Sequence, residues 1–298
     1  MDKFKIIFLV IIIFSGCKNE TKELMFLSNS VPKNIPIDFK ADLIPEGKLI
    51  HKGILSPDLE EYYYTISDKD FKSFNIYVIK KKDKNWSEPE SAFFNTQYNE
   101  HGMSFSPDGK TLYFSSTRPT NFEGVATTWH IWKSDVLDGK WSEPSFVDIP
   151  NLRDKLVSHP TITNSGILYF HSSNLDYSEM DVYRSKRVKD KFQNAERIKF
   201  SPTLNVNTCT PFVSPNEDYL AFATIGNQLD LMISYPDGNG GWTNTKKLNN
   251  IINDKGQGNP YITPDNKFLF FTTGNDEEKD WKVKWVNIES ELKRTRWK

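Results

Sequence analysis

The stretch of sequence that decides the fold is residues 105–116, which read Phe-Ser-Pro-Asp-Gly-Lys-Thr-Leu-Tyr-Phe-Ser-Ser. Proline presets φ for a tight turn, and Asp and Gly tolerate the backbone conformations that complete it. The run that follows the turn is rich in aromatic and β-branched residues, which is typical of a strand leaving a hairpin. The stretch therefore predicts two antiparallel strands joined by a short turn at residues 107–109.

The same unit occurs five times along the chain. The turn position of each copy is held by Pro or Asn, at Pro57, Pro107, Asn164, Pro215 and Pro264, so the spacings are 50, 57, 51 and 49 residues. Every copy continues with a second pair of short apolar segments, so that each repeat supplies about four strands. A period near 50 residues with four strands per repeat is that of a β-propeller blade.

In three of the copies a tryptophan stands at the predicted outer strand, namely Trp86, Trp141 and Trp242. Exposed tryptophans in a row would suggest a platform for sugars. Their identical position in each repeat instead indicates packing between blades.

The two ends of the repeat region predict five blades. Residues 37–44 lie where an outer strand belongs, ahead of the first complete hairpin, and the last copy ends near Ile288. An N-terminal strand that completed the last blade would close the ring and protect its edges. We therefore predict an all-β domain over residues 37–298, a propeller of five four-stranded blades. Six blades would require a degenerate blade that the sequence does not display.

The repeat resembles the PD40 family of TolB-like, WD40-like β-propellers. The best match is residues 106–119, Ser-Pro-Asp-Gly-Lys-Thr-Leu-Tyr-Phe-Ser-Ser-Thr-Arg-Pro, and residues 95–100 resemble the linker of PD40 proteins from Bacteroidetes. The resemblance implies the propeller fold, for which six is the usual TolB-like number of blades. It implies almost nothing about function.

The N-terminal residues indicate an export signal that does not belong to the propeller. Two lysines in residues 1–5 precede the apolar run of residues 6–14, which as a helix would span roughly 14 Å, too short for a bilayer. Residues 14–17, Phe-Ser-Gly-Cys, resemble the lipobox of bacterial lipoproteins. That resemblance implies a signal peptide at residues 1–16, a diacylated Cys17 and a tether at residues 17–36. The alternative is a short core helix with a buried cysteine.

The lipid anchor would make the membrane a partner of this protein. Lys18 follows the cysteine. Asp at that position retains enterobacterial lipoproteins in the inner membrane, so Lys18 favours the outer membrane, with the propeller facing the periplasm or the cell surface.

The composition excludes some classes of function. The chain of 298 residues carries 38 Lys+Arg and 39 Asp+Glu, whereas proteins that coat nucleic acid need an excess of basic residues. Two cysteines cannot form a disulfide framework. If Cys17 is lipidated, Cys209 stands alone and is best interpreted as a small buried apolar residue. A catalytic Cys209 would need a histidine beside it.

Candidate binding residues lie where the chain enters the innermost strand of each blade, because these segments surround the mouth of a propeller's channel. The loop of residues 117–128, in the longest repeat, is a further candidate for recognition. The alternative is a surface excursion that packs on itself. The candidates are His51, Glu100, His101, Arg118, Trp129, His159 and Asn259.

Three of these candidates are histidines, and three imidazoles on one rim could bind a metal. His51 and His101 stand six residues before their turn position, but His159 stands five before its own. Because the three histidines do not stand at equivalent positions, they are better interpreted as polar residues that hydrogen-bond to backbone groups at the start of a strand than as metal ligands. We therefore predict neither a metal nor a cofactor.

The sequence displays no catalytic constellation. Glu100 is the only carboxylate in the entering segments, whereas glycoside hydrolysis needs a pair about 5–10 Å apart. Asp58, Asp108 and Asp265 lie in the opposite turns and are interpreted as turn formers. We predict a cell-envelope lipoprotein whose propeller is a non-catalytic binding or scaffold module for a protein or an envelope glycan. The alternative is a carbohydrate-active enzyme, since five-bladed glycoside hydrolases use carboxylates that converge on the channel.

Overall fold

Five antiparallel sheets arranged as propeller blades make up the computed structural model, which describes residues 30–83 and 85–296. The predicted signal peptide, Cys17 and residues 18–29 of the tether lie outside the described residues. Within the described ranges, no helix is both long and apolar enough to cross a membrane.

The first three blades share one pattern, in which four strands follow in order and a short fifth strand also pairs with the third. After β1 (Ile37–Asp38), blade 1 contains β2 (Lys48–Leu55), β3 (Glu61–Asp68), β4 (Phe74–Lys82), β5 (Asn85–Trp86) and β6 (Glu90–Ser91). Blade 2 contains β7 (Glu100–Phe105), β8 (Thr111–Ser116), β9 (His130–Leu137), β10 (Lys140–Trp141) and β11 (Ser145–Phe146). Blade 3 contains β12 (Leu156–Ile162), β13 (Ile167–Ser173), β14 (Asp181–Val188), β15 (Lys191–Phe192) and β16 (Glu196–Arg197).

The last two blades have four strands each. Blade 4 contains β17 (Asn207–Val213), β18 (Leu220–Ile225), β19 (Leu229–Pro236) and β20 (Trp242–Lys247). Blade 5 contains β21 (Gly256–Ile262), β22 (Phe268–Gly274) and β23 (Lys282–Asn287), and its fourth strand is β1. The first strands of neighbouring blades contact one another in a closed circle, β2–β7–β12–β17–β21–β2, which surrounds the channel.

The ring closes where β1 joins β23. Ile37 lies opposite Trp285, and the Lys33 carbonyl accepts a hydrogen bond of 2.9 Å from the Asn287 amide. Phe39 follows directly and packs edge-on against Phe270 of blade 5 and Tyr62 of blade 1. The predicted five-bladed propeller closed by an N-terminal strand is confirmed, although the strand stops at Asp38 and a 3₁₀ turn (Ala41–Leu43) follows.

The turns between the first two strands of each blade are held by a hydroxyl group. In blade 2, Ser106 Oγ accepts the Thr111 amide at 2.9 Å and donates to Asp108 Oδ1 at 2.6 Å. The hydroxyl groups of Ser56, Thr163, Ser214 and Thr263 likewise accept the amide that starts the next strand. The interpretation of the repeated aspartates as turn formers is confirmed, because these carboxylates serve the turn itself.

The aromatic residues of the repeat fill the spaces between blades. Trp242 is buried in a cluster with Tyr169 and Val182 of blade 3. Trp141 of blade 2 stacks on Phe93 at 5.6 Å between ring centroids. The packing role predicted for the repeated tryptophans is confirmed for Trp242, which is buried, and for Trp141, which is half-buried against the apolar cluster of blades 1 and 2.

The C-terminal segment forms a helix that the repeat pattern of the sequence does not predict. Residues Glu289–Arg296 form helix α1, with acidic residues in its first turn and basic ones in its last, as the helix dipole favours. Thr295 is buried and its hydroxyl hydrogen-bonds to that of Tyr235 at 2.6 Å, while Glu291 accepts the Asn249 amide at 2.8 Å. Eight residues are too few to display a clear amphipathic period.

Candidate functional site: the mouth of the channel

A β-bulge interrupts the innermost strand of every blade. The strand pairing shifts register after Ile50, His101, Ser158, Cys209 and Gly258. A bulge sets two residues against one on the partner strand and re-aims the side chains at that point. The segments that carry most of the candidate residues are therefore turned toward the channel by a device repeated in all five blades.

Five equivalent residues sit at these bulges, each five positions before its turn residue. They are Lys52, Gly102, His159, Thr210 and Asn259, here called the channel ring. Three members other than glycine have positive φ, 57° at His159, 45° at Thr210 and 52° at Asn259. Such conformations cost of order 1–3 kcal/mol each and cluster at binding sites, where the surrounding structure enforces them.

Four members of the channel ring line a cavity of about 280 Å³, here called the mouth cavity. His51, His101, His159 and Asn259, four of the predicted candidates, share this wall. The wall also carries functional groups that are not among the candidates from the sequence: Lys52, Phe71, Phe74, Thr210, Thr272, Asp276 and Trp281.

The imidazoles pack directly against one another. The ring centroids of His101 and His159 are 4.5 Å apart, and those of His159 and His171 are 4.7 Å apart. Ser158 Oγ lies 3.2 Å from His101 Nε2 and 3.0 Å from His159 Nδ1. A Cβ atom at Gly102 would lie 3.2 Å from His159 Cγ, so the glycine makes room for this imidazole.

Burial keeps these imidazoles neutral. It lowers the pKa of His51 to about 4 and that of His171 to about 3, and it holds the pKa of His101 and of His159 well below the ordinary value of 6.5. At neutral pH the four rings therefore add hydrogen-bonding atoms but no charge to the channel.

Lys52 is the charged member of the channel ring. Its side chain is buried, with 4% of the residue exposed, and burial lowers the pKa of the ammonium to about 7. Among the described residues, none makes a hydrogen bond or an ion pair with this ammonium group. An unpaired buried cation is costly, so its presence needs an explanation.

Glu100 and Arg118, two of the predicted candidates, pair with each other. Glu100 is fully buried, and its Oε1 accepts hydrogen bonds from Arg118 Nη2 at 3.0 Å and from the Thr96 hydroxyl at 2.7 Å. Arg118 Nη2 also donates to the Phe94 carbonyl at 2.6 Å. Neither residue belongs to the wall of the mouth cavity, and the pair ties the loop after β8 to the start of β7.

Trp129, the remaining candidate, lines a second cavity of about 540 Å³, here called the outer groove. This groove shares Phe71, Phe74 and His101 with the mouth cavity and adds Tyr177, whose side chain is largely exposed. The His101 and Trp129 rings are 4.0 Å apart between centroids. Aromatic faces therefore lead from the surface to the channel ring.

The chemistry available on the wall is limited. Asp276 is the one carboxylate among the described residues that line the mouth cavity, and it accepts a hydrogen bond of 2.9 Å from Trp281 Nε1. Within the described part of the chain, no group of three His, Cys, Asp or Glu is placed to hold a metal ion. Cys209 is buried, and burial raises the pKa of its thiol to about 12, so it stays protonated.

The end of the channel opposite the mouth carries a smaller cavity with a mostly apolar lining. A cavity of about 90 Å³ there is lined by turn residues such as Pro57, Pro107 and Pro264. Lys52 also contributes to this wall, so its side chain lies between the two cavities.

Known structures resemble this chain in fold. TolB from Acinetobacter baumannii superposes with a TM-score of 0.51 at 14% identity, covering 82% of this chain and 55% of TolB. A glycoside hydrolase gives 0.53 at 8% identity, covering 91% of this chain and 95% of its own. A GH43 endo-arabinanase from Bacillus licheniformis gives 0.50 at 16% identity, covering 84% of this chain and 96% of its own.

These likenesses establish the fold and leave the function open. The chain spans only about half the length of the TolB chain that it matches, 55%. No protein-family model and no curated protein matches the sequence. The match to TolB agrees with the resemblance of the repeats at the level of architecture.

Proposed function

We propose that this protein is a binding module of the cell envelope, whose propeller takes a glycan at the mouth of its channel without transforming it. The observation that carries the proposal is the mouth cavity. It is concave, it is lined by aromatic and polar groups that the fold does not require, and it continues into the outer groove. Such cavities are the usual sites of small ligands.

The mixture of groups on this wall suits a sugar. Phe71, Phe74 and Trp281 present apolar rings, which pack on the C–H faces of pyranose residues. Thr210, Asn259 and Thr272 present hydroxyl and amide groups beside them. A protein partner that inserts a side chain into the channel is the other class of ligand, and the experiment below separates the two.

A binding role is favoured over hydrolysis because the described residues of the mouth-cavity wall include one carboxylate, whereas hydrolysis needs a pair. Retaining and inverting glycosidases both need two carboxyl groups that flank the scissile bond. Asp276 lies on the wall, but Glu100 is buried in its pair with Arg118. Hydrolysis is kept as the second candidate because the fold is shared with glycoside hydrolases and Asp276 faces the cavity.

The membrane anchor is a second part of the proposal and depends on the sequence alone. Lipidation of Cys17 would place the propeller at the outer membrane, where envelope glycans are within reach. Mass spectrometry of the mature N-terminus tests this point. Diacylglycerol on Cys17 is expected, and an intact residue 1–16 segment in the membrane fraction would contradict it.

Binding to oligosaccharides tests the function. Calorimetric titration of the full-length protein in detergent with a panel of envelope oligosaccharides is expected to find binding that Phe71→Ala weakens at least tenfold. Phe71 is partly exposed at the mouth, so its truncation leaves the core intact. Phe93→Ala, which truncates an exposed aromatic residue away from the mouth cavity, is the matched control and should bind like the wild type.

Three outcomes would overturn the proposal. Release of sugar products by the wild type, abolished by Asp276→Asn, would establish hydrolysis. Equal losses in Phe71→Ala and Phe93→Ala would place binding elsewhere. Absence of sugar binding, together with recovery of one stoichiometric envelope protein by the tagged chain, would establish a protein ligand.

A further inference from the structure

We infer that the sugar bound in the mouth cavity is acidic, a hexuronate residue whose carboxylate pairs with Lys52 of the channel ring. The inference rests on the proposed function, since it names the chemical class of ligand for the same site. It is carried by the position of one ammonium group and by the absence of a carboxylate partner for it among the described residues.

Among the described residues, Lys52 is the one lysine that is buried. Lys255, Lys279 and Lys282 all pair with carboxylates at 2.8–2.9 Å, although each is far more exposed. Lys52 is buried and has no such partner in the described ranges. Buried charges in proteins are normally paired, so a buried ammonium that lines a cavity indicates an anion that enters from outside the fold.

The blade architecture does not require a cation at this position. The equivalent residues of the other four blades are Gly102, His159, Thr210 and Asn259, none of which is charged at neutral pH. All five blades fold with the same bulge, so the fold accepts a small or neutral side chain here. Lys52 is therefore a specific feature of the cavity rather than part of the repeat.

The groups that face Lys52 leave its charge uncompensated. His101, His159 and His171 lie within electrostatic reach of Lys52 as neutral imidazoles. The carboxylate of Asp276 raises the pKa of His51 and so partly offsets the effect of burial there. The pKa of Lys52 is lowered by burial, and no carboxylate offsets that shift. The inner part of the cavity is thus positive, and the one carboxylate of the wall is directed elsewhere.

Neighbouring groups can receive the rest of a uronic acid. Thr210, Asn259 and Thr272 place hydroxyl and amide groups around the cavity. The aromatic rings of Phe71, Phe74 and Trp281 stand on the same wall. At about 280 Å³ the cavity is at the lower end of ligand sites, which fits one sugar residue.

Charge predicts how the affinity varies with pH. The ammonium has a pKa of about 7 in the free protein, whereas the carboxylate of a uronic acid is ionised at neutral pH. Binding of the acidic sugar should therefore be tightest near pH 5–6 and weaken by up to about tenfold per unit above pH 7, as Lys52 loses its proton. The buried imidazoles stay neutral through this upper range, because burial lowers their pKa values below it.

The test compares a charged disaccharide with its neutral counterpart. Digalacturonate and digalactose are titrated into the full-length protein in detergent at pH 6, with wild type, Lys52→Met, Lys52→Gln and Lys110→Met. Lys110 is an exposed lysine of the turn end and provides the matched control. The wild type and Lys110→Met should bind digalacturonate at least tenfold more tightly than digalactose. Both Lys52 variants should lose that preference while keeping the weaker binding of digalactose.

The outcomes separate this inference from the proposed function. Equal binding of both sugars by the wild type, or a preference that survives in both Lys52 variants, overturns the inference and leaves the glycan site standing. Binding of neither sugar overturns both. Tight binding of an Asp-Glu dipeptide without either sugar would assign the cation to a peptide carboxylate and overturn the acidic-sugar assignment. The preference of the wild type needs no variant, so it decides the matter even if the substitutions impair folding.

Discussion

The two ends of the channel are built from the same five strands and differ in how their polar groups are satisfied. At the turn end, the residue before each turn position is Ser or Thr in all five blades, and its hydroxyl bonds within the turn. At the mouth end, the channel ring holds five different residue types, and Lys52 has no carboxylate partner among the described residues. Repeated residues therefore stabilise the blades, and unrepeated residues at equivalent positions distinguish the site.

The largest effect on stability is expected from Arg118→Met, which removes one member of a buried pair at the mouth end. Glu100 would keep its buried carboxylate without a counter-charge, and breaking such a pair costs about 3–5 kcal/mol. Chemical denaturation measures this free energy of unfolding. Arg153→Met breaks the exposed pair with Asp148 and should cost far less, because solvent screens an exposed ion pair. A similar small loss in both variants would contradict the structural role assigned to Glu100.

Lys52→Met is expected to act in the opposite direction and to stabilise the free protein. The unfolded chain binds a proton at this lysine up to about pH 10.5, whereas the folded chain loses it near pH 7, so wild-type stability rises between these values. Lys52→Met has no ammonium to bury, so its free energy of unfolding should exceed that of the wild type by about 2–5 kcal/mol at pH 6. The difference should vanish toward pH 10. Urea denaturation at several pH values measures it, and a destabilised variant at pH 6 would show that the ammonium has a partner.

The histidines make the mouth end sensitive to acid. Their pKa values are lowered in the folded state, so the unfolded chain binds more protons below pH 6.5 and stability falls as the pH drops toward 4. His171→Asn removes one titrating group, so the free energy of unfolding should fall by about 1.4 kcal/mol less per pH unit than in the wild type. Asn is chosen because its Oδ1 can accept the hydrogen bond from the Thr210 amide that His171 Nδ1 accepts at 3.1 Å. An unchanged slope of unfolding free energy against pH would contradict the buried neutral state of His171.

The smallest effect is expected at the turn end. Ser106→Ala removes the hydroxyl that accepts the Thr111 amide and donates to Asp108, at a cost of about 1 kcal/mol. Ser104→Ala, whose hydroxyl donates only a long bond of 3.3 Å to Phe105 O, should cost less. Neither change should alter sugar binding, and a more than twofold loss of affinity in Ser106→Ala would mean that the two ends are coupled.

The sequence predicts what is repeated and what is local. The five blades are predicted by the turn residues, the strand runs and their spacing. The last copy has no outer strand of its own in the sequence, and this identifies β1 as the strand that completes it. The interactions that decide the site join distant segments. Glu100 and Arg118 lie 18 residues apart on opposite sides of a hairpin, so their pairing has no sequence signature.

The missed residues have similar physical explanations. Lys52 stands one position after a predicted candidate, and only the bulge turns it into the channel. His171 lies on the second strand, where the other blades have Ile66, Ser115, Ala223 and Thr272, so no repeated residue marks this position in the sequence. Asp276 lies in the loop after β22, close in the chain to Thr272 and Trp281 but far along it from His51 and Lys52.

A crystal structure of the full-length protein with digalacturonate would test the central claim most directly. We expect one sugar residue in the mouth cavity, with a carboxylate oxygen about 3 Å from Lys52 Nζ and the sugar ring against Phe71 or Phe74. A disaccharide bound only at the turn end, or held in the outer groove with its carboxylates directed to solvent and away from Lys52, would contradict it.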